Sequence, residues 1–198
     1  MTKYFYVAVT ATIMACLALL AYRHLFLEKE SITPIIITIS SGVATFGWIS
    51  QQIETRKSNK TNHTITILQN SKFNTQFQDA VRTVDEKIRI LDLEKLDIRM
   101  IHNYHSGDGE ISGDQRLLIY YCRYLISYYE FIAYLVKNKH IDEKIAKENI
   151  GTNVPYMNHI CKPLILYVRG EINERGEQTG SIKYPKAYEN LIWWAAVI

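Results

Sequence analysis

The sequence lacks a Gly-rich phosphate loop, a nucleophile elbow and any pair of cysteines at metal-ligand spacing. Those absences remove the sequence signatures of P-loop enzymes, α/β-hydrolase triads and zinc ribbons. Cysteine itself is scarce: Cys16, Cys122 and Cys161 are far apart and sit in apolar runs. An odd, scattered set excludes a disulfide framework and fits a reducing compartment. Charge is also missing from one part of the chain. Tyr4 to Tyr22 and Ile32 to Ser50 contain no Asp, Glu, Lys or Arg, whereas residues 51–198 hold most of the charge behind the formal net +3. With no ionisable residue at the centre of either block, a transporter or proton-relay site has nothing to be built from.

What is present in the first fifty residues predicts membrane spans. The block 4–22 has 19 residues, enough to cross roughly 30 Å of hydrocarbon at about 1.5 Å per residue. A cleavable signal peptide competes with that reading, but the run is long for one and a second apolar block follows. The second block, 32–50, competes with a buried core helix or strand; its pairing with the first favours a helical hairpin. Tyr4, Tyr6, Tyr22 and Trp48 fall near the span ends, where an aromatic belt sits. Arg56, Lys57 and Lys60 follow the second span and Lys3 precedes the first, so both termini are expected in the cytoplasm and 23–31 outside. The expected localisation is therefore the cell inner membrane, multi-pass. Small residues line both spans, Ala8, Ala11, Ala15 and Ala18 on the first and Ser40, Ala44 and Gly47 on the second. Such faces let helices approach closely. They serve either hairpin packing or assembly into a homo-oligomer, with Thr33, Ser40, Ser41 and Thr45 lining a wet interior.

The expected fold is all-α: a two-helix transmembrane hairpin over 1–50, then a cytoplasmic helical bundle over 51–198. Within the bundle, apolar periodicity predicts helices at about 51–69, 74–91 and 93–102, with a break at 70–74. A Gly, Ser and Asp loop spans 104–114. His102, His105, Asp108 and Asp114 gather around it, but the three glycines make a flexible loop the better reading than a metal cage. Asp114 is expected to cap a long helix to Asn138, with Leu117, Leu118, Tyr121, Leu125, Tyr128, Ile132 and Leu135 on one face. A short helix capped by Asp142 ends at Gly151, a helix runs from Pro155 to Glu174 with a bend at Pro163, and a last helix covers 184–196. Glu130 and Arg169 each sit in an apolar setting. A raised pKa would make Glu130 catalytic; a structural charge pair of Glu130 with Arg169, or with Arg123, is the favoured reading. No catalytic, cofactor or metal residue is assigned, and no cofactor or small-molecule substrate is expected.

The run YYEFIAYLVKNKHIDEKIAKENI, Tyr128 to Ile150, resembles a bacterial helical domain of unknown function. PLILYVRGEI, Pro163 to Ile172, and YPKAYENLIWWA, Tyr184 to Ala195, extend the likeness, as does the Arg-Lys step in Thr55 to Lys57. The whole layout is similar to the transmembrane effector of a bacterial retron, an anti-phage system that pairs a reverse transcriptase and its RNA–DNA product with a toxin. The resemblance implies a membrane-perturbing, non-enzymatic effector of abortive infection. Its partners would be the reverse transcriptase complex, which holds it inactive, and the lipid bilayer, which it disrupts on release. Two readings from other classes compete: a membrane-anchored recruitment or superinfection-exclusion protein without toxicity, and an enzyme acting on nucleotides or lipids, which would need a pocket of convergent polar residues.

Overall fold

A computed structural model of the chain describes residues 13–14, 16–23, 25, 33–107 and 109–198. The chain divides into two compact units, Met1–Ser58 and Asn59–Ile198, where the sequence pattern places the division at residue 50. Secondary structure among the described residues is helical, relieved by one isolated bridge between Ile172 and Gln178. Eight helices have defined bounds: α1 Thr33–Phe73, α2 Thr75–Ile90, α3 Ile98–Ser106, α4 Gly113–Lys137, α5 Glu143–Ile150, α6 Asn153–Ile160, α7 Lys162–Arg169 and α8 Glu189–Val197.

The helical expectation therefore holds, but the transmembrane hairpin does not. Among the described residues no helix is long and apolar enough to cross a membrane. That finding overturns the two-span hairpin and, with it, the multi-pass inner-membrane localisation with both termini cytoplasmic. The physical reason is dilution. Ser40, Ser41, Gly42, Thr45, Gly47 and Ser50 interrupt the apolar residues of α1, which then runs on through the polar stretch Gln51 to Asn62. Most of the expected first span, 4–12 and Ala15, lies outside the described residues; 16–23 are helical.

In the second unit α4 is the central element, packed by α2, α3, α6 and α8. It is a helix because its sequence gives Leu, Ile and Tyr at three- and four-residue spacing with no proline, and because its start is well capped. Ser112 accepts from the Gln115 amide and Gln115 returns a bond to the Ser112 amide, a reciprocal capping box that takes the role expected of Asp114. Neighbours on several sides bury Leu118, Ile119, Cys122, Leu125, Ile126, Tyr129, Ile132, Ala133 and Val136, a wider arc than the single stripe the periodicity predicts. Leu118, Leu125 and Ile132 are inward as expected, whereas Leu117 is exposed. Asn74 and Asp142 cap α2 and α5 through their side chains. The expected helix from Pro155 to Glu174 is broken at Cys161. Pro163 has no N–H to return to the preceding turn, so α6 stops and α7 begins with the proline in its first turn.

The last turns of α1 belong to this unit. Leu68 is buried in its core, and Thr64, wholly buried, donates to the Lys60 carbonyl at 2.8 Å and accepts from the Asp142 amide at 2.8 Å. Lys72 reaches Asn149 at 3.1 Å.

Candidate functional site

Of the small-residue faces, Ala8, Ala11 and Ala15 lie outside the described residues. Ala18, Ser40, Ala44 and Gly47 are exposed, and a Cβ added at Gly47 would meet nothing within 4 Å. Thr45 donates to the Ser41 carbonyl at 2.8 Å, so that hydroxyl is satisfied by its own helix.

Glu130 and Arg169 are not bonded to each other; they grip the same stretch of chain from two sides. The Glu130 carboxylate accepts from the Leu191 amide at 2.6 Å, the Asn190 side-chain amide at 2.6 Å and the Asn190 backbone amide at 3.3 Å. It thus caps α8 from outside, where the residue before the helix, Tyr188, is left-handed and offers no side-chain bond. Arg169 donates to the Pro185 carbonyl at 2.8 Å and the Ala187 carbonyl at 2.9 Å, and pairs with Glu171. Between them these two side chains fix the turn 185–188 and the start of α8, seating Leu191 and Trp194 in the core. The sequence reading recognises that each charge sits in an apolar setting. It has no way to see that, besides Glu171 and the Asn190 side chain, the partners are backbone groups of the turn 185–188 and the start of α8.

A second cluster joins α3 to α7. His102 Nδ1 lies 3.2 Å from the Tyr167 hydroxyl, and its Nε2 lies 4.0 Å from Glu174. His105 meets the Tyr167 ring edge-on at 5.4 Å between centroids. Its pKa is lowered by partial burial, then by the Arg123 charge and by His102. Asp108 lies outside the described residues, and Asp114 pairs with Lys87 at 3.1 Å. Among the described residues no group of three His, Cys, Asp or Glu side chains is placed to hold a metal. Cys122 and Cys161 are buried side by side as free thiols, with burial pushing the Cys161 pKa up.

The outward face of α4 escaped the sequence reading. Leu117, Tyr120, Phe131 and Tyr134 leave 40%, 47%, 52% and 47% of their surface in water. With half-buried Tyr124 and exposed Ser127 they form a stripe at spacing 3-4-3-4-3. That spacing was visible in the sequence, but a second apolar stripe on the same helix masks it. Four large side chains, three of them aromatic, are thus left facing water along one helix.

Comparison with known proteins adds one match. The family described as Domain of unknown function (DUF4760) matches residues 34–196. No curated protein and no solved structure matches the chain.

Proposed function

The chain belongs to the family Domain of unknown function (DUF4760), and from that premise we propose that it acts as the effector of a retron-type anti-phage system. In this reading a reverse transcriptase with its RNA–DNA product holds the protein inactive, and release arrests growth of the infected cell. Family membership carries no activity with it, so the proposal rests on the retron resemblance and on one observation. Three of the stretches that carry the resemblance, 128–150, 163–172 and 184–195, meet at a single place. Glu130 from the first and Arg169 from the second hold residues 185–191 of the third. A partner-controlled effector needs an element whose seat is set by a few polar contacts that a partner can reinforce or break. Helix α8, capped by a residue 60 positions earlier in the chain, is such an element.

The test is expression in bacteria of the full chain alone and together with a reverse transcriptase and its template RNA. The expected result is growth arrest with the chain alone and relief on co-expression, at equal protein levels. Normal growth with abundant protein alone would overturn the effector reading in favour of recruitment or superinfection exclusion.

A further inference from the structure

We propose that the outward face of α4 binds single-stranded nucleic acid, with Tyr120, Phe131 and Tyr134 stacking on bases and Arg116 and Arg123 meeting phosphates. The inference goes beyond the effector reading and does not depend on it.

The first argument is the sign of the charge. From Gln115 to Lys137 the single acid is Glu130, and its carboxylate is committed to Asn190 and Leu191. Lys137 is held by Glu189 and Asn190. Arg116 and Arg123, two turns apart on the exposed side, form no ion pair with any described residue. Two arginines without an ion pair among the described residues, on a stretch whose one carboxylate is tied to the start of α8, favour a polyanion whose phosphates can meet both guanidinium groups at once.

The second argument is the aromatic content. Tyr120, Phe131 and Tyr134 are each about half exposed on this face, and a flat ring in water has most to gain from another flat ring. Every base has a π-face, but in a duplex those faces are already stacked, and duplex binding would leave the aromatics uncovered. From position 116 to position 134 the helix rises about 27 Å at about 1.5 Å per residue. That length suits a site at the short end of the roughly 4–16 nucleotides found on other single-strand platforms.

Fluorescence anisotropy of the full chain with labelled oligo-dT and oligo-U tests the proposal. Binding is expected, and its log affinity should fall with log salt concentration by about 0.7 for each phosphate neutralised. Arg116→Gln with Arg123→Gln should flatten that slope by about 1.4. Tyr120→Ala and Phe131→Ala should each weaken binding roughly 5- to 150-fold, while Tyr120→Phe and Phe131→Tyr, which keep the ring, retain it. Absence of binding at low salt would overturn the proposal, as would binding that none of these variants weakens. The same variants are compared in sedimentation and on phosphatidylserine vesicles. If they abolish self-association or vesicle binding while oligonucleotides are ignored, the face belongs to a second copy or to lipid and the proposal falls.

Discussion

Replacing Glu130 by alanine tests the account of α8 most directly. The substitution removes the acceptor of three bonds: the Leu191 amide at 2.6 Å, the Asn190 side chain at 2.6 Å and the Asn190 amide at 3.3 Å. Bonds to an ionised acceptor contribute about 1.5–3 kcal/mol each, and loss of an N-terminal cap costs about 1 kcal/mol. The three share one carboxylate that is only half buried, so they do not add; a net loss of about 2–4 kcal/mol is expected. For a unit of this size 1 kcal/mol shifts the melting temperature by about 3–5 °C, so Glu130→Ala should lower Tm by about 10 °C. Glu130→Gln keeps one carbonyl acceptor and should lose less than half as much. Thermal melts followed by far-ultraviolet circular dichroism supply the measurement, with amide exchange at Leu191 locating the loss. If Glu130 and Arg169 were a buried ion pair, removing both would partly restore what either single change takes away. The observed bonding predicts no restoration. A double variant more stable than the worse single variant, or a Glu130→Ala melt within about 2 °C of the parent, would refute the capping role.

Three further outcomes follow from particular contacts. Thr64→Val keeps the shape but strands the Asp142 amide, which bonds the hydroxyl at 2.8 Å; urea unfolding should show a loss of about 1–3 kcal/mol. Gly170→Ala should cost at least about 1–2 kcal/mol in the same assay, because Gly170 has φ +74° and an added Cβ would stand 2.8 Å from the Lys183 Cβ. Burial raises the Tyr129 pKa from 10.0 to about 12. Above the lower value the unfolded chain gives up that proton while the folded chain keeps it. Stability should therefore be unaffected by this group below pH 10 and fall by about 1.4 kcal/mol per pH unit until the higher value is reached. Urea midpoints measured across that alkaline range check the sign, and Tyr129→Phe should flatten the dependence.

Local signals were the legible part of this fold. The Asp142 cap and the long α4 are readable because each is written in neighbouring residues, a capping side chain and a run of periodic apolar positions. The break expected over 70–74 shrinks to Asn74, because α1 runs on to Phe73. Where a residue's partner lies far along the chain, the sequence reading failed in a consistent way. Glu130 and Arg169 read as charges needing partners, and the sequence suggests that they pair with each other. Instead Glu130 holds the Asn190 side chain and the Asn190 and Leu191 amides some 60 residues on, while Arg169 pairs with nearby Glu171 and holds two carbonyls 16–18 residues on. The span expectation failed for a different reason. Counting absent charges treats Ser, Thr and Gly as apolar, and in α1 they are numerous enough to deny the helix the hydropathy a bilayer requires. Pro163 was expected to bend a helix and instead divides it, because Cys161 before it leaves the helical path. The outward stripe of α4 was hidden by the helix being apolar on more than one side, so periodicity alone could not say which side was covered.

The bond between Thr64 and Asp142 joins residues 78 apart in the chain, and its consequence is kinetic. The Asp142 side chain caps α5 locally, so that helix can begin to form before residues 59–73 arrive. The Asp142 backbone amide, however, gains its partner only when they do. Closing a loop of that length carries an entropy cost that local helix formation does not, so this contact is expected to form after α5 has begun to form. The Asp142 amide is therefore a built-in timer. Its hydrogen exchange reports when the end of α1 leaves the domain, while the amides of Lys144 and Ile145, held by the Asp142 carboxylate, report whether α5 has survived the departure.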